Sequence, residues 1–172
     1  MRGRLALMHI AIGAAIGGSF AGQSHAQDRD TNALRAALVF NIIRFIDLPP
    51  RPHGGPLLLC IDKGDQNGAA LMTLNGQHIA DQTISVRPVN EGAVADCNFR
   101  YLGNAAAADI AHAQQPGLLL IGEGPHFIND GGMVGLVQTG KQIRFEINVA
   151  VARRCRVNIS SQLLRLASRV QQ

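Results

Sequence analysis

The sequence has no tryptophan and one tyrosine, Tyr101, and aromatic residues make up 4% of its 172 positions. Single-stranded nucleic acids are held largely by stacking bases on aromatic rings, so this scarcity argues against a base-stacking surface. Charge is sparse too: 16% of residues are charged, with 16 basic and 12 acidic side chains. No HExxH or GxSxG stretch occurs, so neither a zincin helix nor a serine-hydrolase elbow is written here. Asp62, Asp65 and Asp81 are scattered and frame no carboxylate pair. Beyond the first segment, no run of about 18 uncharged apolar residues occurs, which excludes a later membrane-spanning helix. Catalytic residues, metal ligands and cofactors are therefore not expected.

What is present is a hydrophobic fraction of 47%, too high for a disordered chain. The length suits one domain, and chains of this size bury about two-thirds of their unfolded surface. The opening reads as an export signal. Arg2 and Arg4 precede an uncharged stretch from Leu5 to Gly22, and Ser24-His25-Ala26 has the small-x-small cleavage pattern. Its most apolar part, Leu5 to Ile16, is too short to span a bilayer. A cut after Ala26 divides the chain into a signal peptide, 1–26, and a mature domain, 27–172. The cut removes two basic residues, leaving 14 basic against 12 acidic and a net charge of +2. Much of the apparent basicity thus belongs to export, and nucleic acid drops out as a partner. The mature chain is expected outside the cytoplasm, without inserting in the membrane.

The three cysteines, Cys60, Cys97 and Cys155, are 37 and 58 residues apart, unlike any compact zinc motif. In an oxidising compartment an odd number implies one bridge and one leftover thiol. Cys60 ends the run Leu57-Leu58-Leu59 and Cys97 opens another apolar run. Neighbouring strands would bring the two within bridging reach; two buried thiols are the alternative.

The mature chain alternates strands and helices. Asp30 or Thr31 caps a helix running to about Ile46. Leu34, Leu38, Ile42 and Phe45 form one of its stripes, and Val39, Ile43 and Ile46 another. A helix apolar on nearly every side either lies deep or is covered by a second chain. Pro49-Pro50-Arg51-Pro52 stops it. Strands are expected at Leu57–Ile61, Thr83–Val86, Cys97–Leu102 and Leu118–Ile121, with helices at Ala69–Leu74 and Ala105–Ala113. This order points to an α/β fold with a parallel or mixed sheet covered on both faces. Met133–Gln138 and Gln142–Asn148 form a hairpin around Thr139-Gly140-Lys141. A short helix follows at Val149–Arg154. Ser160 or Ser161 then caps a terminal helix whose face joins Leu163, Leu166 or Ala167, and Val170.

Two features stand out as candidate site residues. Gly131, Gly132 and Met133 form either a tight turn entering the sheet or a loop admitting a close backbone approach. In the second hairpin strand, Ile143, Phe145 and Ile147 point one way and Arg144, Glu146 and Asn148 the other. That second trio is either a cross-strand polar ladder or an Arg–carboxylate clamp facing a ligand or partner. His126, beside Phe127, stands at the edge of a loop after Gly-Glu-Gly-Pro.

These residues resemble the YfiR family of periplasmic proteins. The resemblance runs through Gly131-Gly132-Met133, Leu136-Val137, Gly140, Arg144-Phe145-Glu146-Ile147-Asn148 and Ile159-Ser160-Ser161-Gln162-Leu163-Leu164-Arg165-Leu166-Ala167. Phe40-Asn41-Ile42-Ile43-Arg44-Phe45-Ile46 with Pro49 is similar to the family's opening helix. The resemblance implies a periplasmic domain with a Rossmann-like mixed sheet, commonly a homodimer. It implies binding and repression of the periplasmic sensor domain of a membrane-bound GGDEF protein, a diguanylate cyclase. Cyclic di-GMP synthesis and biofilm growth would then follow its release. Cys60 and Cys97 match a cysteine pair frequent in the family, which supports the bridge. Two positions depart: Leu48 stands where the opening motif usually has Trp, and Cys155 where no cysteine is expected. The alternative function is a small-molecule-binding sensor module acting with another transmembrane receptor, with Gly124–Phe127 lining a pocket at the strand ends.

Overall fold

A computed structural model describes residues 22–49, 55–90, 96–140 and 142–172, with backbone only for residues 22–27. The first 21 residues of the expected signal, with Pro50, Arg51, Pro52 and Lys141, lie outside the described residues. The expected cut after Ala26 falls inside the first helix, α1 (Gly22–Ile43).

On α1 the stripe of Arg35, Ala36, Val39, Ile42 and Ile43 turns inward and is at most 7% exposed. Leu34 is half exposed, while Leu38 and Phe45 are half-buried. The helix ends at Ile43, earlier than expected. Ile46 and Asp47 form a short strand, β1, pairing antiparallel with β9 (Asn158–Ile159), and the chain must be extended to do so.

From there the chain builds β2 (Leu57–Asp62), α2 (Gly68–Leu71) with a 3-10 turn at Met72–Leu74, β3 (His78–Ile79) and β4 (Gln82–Val89). It continues with β5 (Phe99–Tyr101), α3 (Ala107–Ala113) and β6 (Leu119–Glu123), then the hairpin of β7 (Val134–Thr139) and β8 (Gln142–Asn148). After α4 (Val149–Arg154) and β9 come α5 (Ser161–Leu166) and β10 (Arg169–Gln171). The main sheet has eight strands in the order β10-β8-β7-β6-β5-β2-β4-β3. Strands β4, β2, β5, β6 and β7 run parallel to their neighbours, whereas β7–β8 and β3–β4 are antiparallel. The single α/β domain with a mixed sheet and flanking helices is the architecture expected.

Leu58–Ile61 and Leu118–Ile121 are nearly inaccessible, as befits central strands covered on both faces. Ser160 Oγ accepts the Leu163 N–H at 3.2 Å and caps α5. That helix does not reach Val170. Ala167 is extended, and the Ser168 N–H and hydroxyl both donate to the Phe145 carbonyl at 2.9 Å. Residues 169–171 then become an edge strand, parallel to β8, so Val170 shares no helix face with Leu163.

Candidate partner-binding surface

The hairpin strand β8 alternates as expected over most of its length. Phe145 and Ile147 are buried, and Arg144 is exposed with its guanidinium on Gln142 at 3.2 Å. Glu146 does not pair with Arg144. Its carboxylate accepts from Arg169 of β10 at 2.7 Å, in direct register. Asn148 leaves the outward row altogether. It is 4% exposed, its amide donates to the Ile128 carbonyl at 2.8 Å, and its oxygen caps α4 by accepting the Val151 N–H at 3.0 Å. The immediate start of a helix demanded a cap, and this local need turned the residue inward. Arg144 and Glu146 are what remains of the trio, and Arg169 joins them at the polar edge.

The double-glycine loop serves packing. A Cβ on Gly132 would sit 2.1 Å from the Phe127 ring, and one on Gly122 would sit 2.0 Å from it. The ring is thus held between Gly122 of β6 and Gly132 of the segment ahead of β7, which lack side chains at these positions, and it is 1% exposed. Gly131 has φ +103° and its carbonyl accepts from Gln114 at 2.9 Å. Met133 is wholly buried. Of the expected pocket segment, Gly124 and Pro125 line a cavity with Arg35 and Glu123, Phe127 is packed inside, and His126 is exposed.

A cluster that sequence reasoning missed lies under α1. Arg35 Nε meets Glu123 at 2.8 Å, and its two terminal nitrogens donate to Gln138 at 2.9 Å, Asn32 at 2.8 Å and Asn67 at 3.2 Å. Asn67 also donates to Glu123 at 2.8 Å, and the Tyr101 hydroxyl donates to the same carboxylate. Burial, then the Glu123 charge, drives the Tyr101 phenol far above its ordinary range. One buried arginine therefore ties α1 to α2, β5, β6 and β7. The sequence signal was a lone charge on an inward helical stripe, but its partners lie as many as 103 residues away.

The Cys60–Cys97 disulfide is present, linking β2 to the segment just ahead of β5, which starts at Phe99 and not at Cys97, with Cα atoms 5.9 Å apart. Cys155 is a buried free thiol, and burial raises its pKa while Arg154 opposes the shift. On the outer side of α1, Leu34 is 50% exposed and Arg44 lies 5.9 Å above the half-buried Phe40 ring. Beside it, a groove lined by Ala33, Ala37, Phe40, Ala69, Ala70 and Thr73 separates α1 from α2. No helix among the described residues is long and apolar enough to cross a membrane.

The YfiR/HmsC-like family pattern matches residues 32–168. No curated protein matches the chain. Among solved structures, a conserved domain protein of Vibrio cholerae is similar with TM-score 0.49 and 14% identity. A domain from Streptococcus pneumonia, described as an ABC domain in complex with L-Trp, has TM-score 0.49 and 8% identity. Each match covers 81% of this chain, which spans only 60% of the solved chain's length. The sequence pattern spans most of the described domain, including the opening helix, the central strands, the hairpin and α5, and on this ground the chain belongs to the YfiR/HmsC-like family.

Proposed function

We propose that this protein binds and represses the periplasmic sensor domain of an inner-membrane diguanylate cyclase, limiting cyclic di-GMP synthesis and biofilm formation. The observation that carries this reading is the family match over residues 32–168, which supports a periplasmic regulatory role in general. Repression requires only that the protein bind one conformation of the sensor domain better than the other. The polar edge of Arg144, Glu146 and Arg169 is the face offered to the cyclase. The apolar outer side of α1, with Leu34 and Phe40, is the face offered to a second copy in a homodimer. Leu34, 50% exposed beside the half-buried Phe40 on an otherwise inward-turning helix, supports that assignment.

The test is recovery from native membranes. Tagged protein is expected to co-purify a membrane protein carrying a GGDEF domain, and Arg144→Ala and Glu146→Ala are each expected to lower its yield several-fold. Equal recovery with both variants would remove the hairpin edge from the interface. Failure of the unaltered protein to retain any such cyclase would overturn the proposed function.

A further inference from the structure

We infer that the outer edge of β8 at residues 142–145 takes an extended segment of the partner as an added strand, one that alternates carboxylate with apolar side chains. The segment's owner, the cyclase's sensor domain, rests on the proposed function; its chemistry rests on the edge itself.

The backbone leaves this place open. Leu136 of β7 gives its carbonyl to the Gly124 N–H on the β6 side. Phe145, its partner across the hairpin, gives its carbonyl to the Ser168 N–H on the opposite side. Asn148 instead donates its N–H to Met133, ahead of β7. In an antiparallel pair such groups alternate, so the odd residues of β8 turn theirs away from β7. Strand β10 covers only Glu146–Asn148. The N–H and C=O of Ile143 and the N–H of Phe145 therefore form no backbone hydrogen bond among the described residues. Unpaired groups on a strand edge are a template for another strand.

The side chains select its chemistry. Gln142 and Arg144 point to one face of β8 and Ile143 and Phe145 to the other, and an added strand alternates in the same way. Arg144 is exposed, and its guanidinium donates only to Gln142 among the described residues. Glu146, the one acid on this strand, is already held by Arg169. From Ile147 to Gln172 the chain carries five arginines and no acidic residue. Carboxylates on one face of the added strand would thus meet uncompensated positive charge. Leu166, two residues ahead of Ser168, is 67% exposed, the most of any large apolar side chain among the described residues. Together with the half-buried Ile143 it favours apolar side chains on the incoming segment. A second copy of this chain fits poorly, because it would bring its own Arg144 to the same edge.

The test is amide hydrogen exchange of the purified protein with the blocked heptapeptide Val-Glu-Val-Glu-Val-Glu-Val. A version with Lys for Glu and a glutamate version N-methylated throughout serve as counterparts. The glutamate peptide is expected to slow exchange at Ile143 and Phe145 saturably, and neither counterpart to do so. Arg144→Glu is expected to weaken binding about fivefold, as reversing an exposed ion pair implies. Ile143→Pro removes an N–H that faces away from β7, so it is expected to spare the circular dichroism spectrum and to weaken binding about fivefold through the lost hydrogen bond. No slowing at Phe145, equal binding of either counterpart, or binding that both variants leave intact would overturn the inference. So would exchange at both amides slowed by raising the protein concentration alone, which would assign the edge to a second copy. The assay contains no cyclase, so its failure strikes the strand edge alone, whereas the recovery from membranes judges the cyclase.

Discussion

Arg35 shows how much one residue decides in this protein. Taken alone it interrupts an apolar helix; in the fold it is the hub of a buried network with Glu123, Asn67, Gln138 and Tyr101. A charge so placed is tolerated because it is paired with Glu123 and hydrogen-bonded through its terminal nitrogens, and removing a partner leaves a buried polar group short of a bond. Tyr101 offers a direct reading of that network, since it is the sole tyrosine and no tryptophan obscures it. Its phenol is raised above the ordinary value of 10.0, so the folded state holds the proton more tightly than the unfolded chain. The resulting stability is intact below pH 10.0 and falls as pH rises beyond it, because there the unfolded state loses its proton first. In an alkaline titration, tyrosinate absorbance is expected to appear together with loss of helical circular dichroism. Ionisation in a still-folded protein would contradict the buried Tyr101–Glu123 bond. Asn148 carries the same lesson in reverse. Alternation alone turned it outward, but the start of α4 claimed it as a cap.

At the scale of elements, the fold depends on where side chains are missing as much as on where they pack. Gly122 on β6 and Gly132 ahead of β7 leave room for the Phe127 ring, which seals the sheet below their connecting loop. Replacing Gly132 by Ala would set a Cβ 2.1 Å from that ring, so the ring or the strand must move. Overpacking of this kind destabilises by about 1–3 kcal/mol. A lower urea midpoint with unchanged slope is the expected result for Gly132→Ala, and an unaltered midpoint would show the ring free to shift. The two ends of the domain taught the limits of periodicity. The opening helix stops at Ile43 because β1 is drawn into pairing with β9. The final helix stops at Leu166 because residues 169–171 add to the edge of the sheet. Both elements look helical by spacing, and both yield to hydrogen bonds with strands distant in sequence.

Over the whole molecule, the strand crossing between β4 and β5 brings Cys97, two residues ahead of β5, beside Cys60 of the neighbouring β2. With a sequence separation of 37, the chain-entropy relation gives about 3–4 kcal/mol for closing this loop. The double variant Cys60→Ala/Cys97→Ala is expected to unfold at a lower urea concentration by that margin, and reducing agent should lower the stability of the natural chain alone. Equal stability of the two proteins under oxidising conditions would mean the bridge contributes nothing. The same crossing sends Arg100 and Tyr101 to opposite faces of one strand, so the sheet separates a closed network under α1 from an open cleft beside α3.

The sequence alone determined the α/β class, the order and approximate limits of the central strands, the hairpin and the helix at Val149–Arg154. Each of these rests on local periodicity, turn chemistry and caps within a few residues. The family was legible for the same reason, since its motifs are contiguous. Only the tertiary structure decided that Cys60 and Cys97 meet, that Glu146 joins Arg169 instead of Arg144, and that Arg35 and Arg100 find ion-pair partners in the interior. Those pairings join positions tens of residues apart, and strand order, which no local pattern encodes, selects them from the many that spacing would permit.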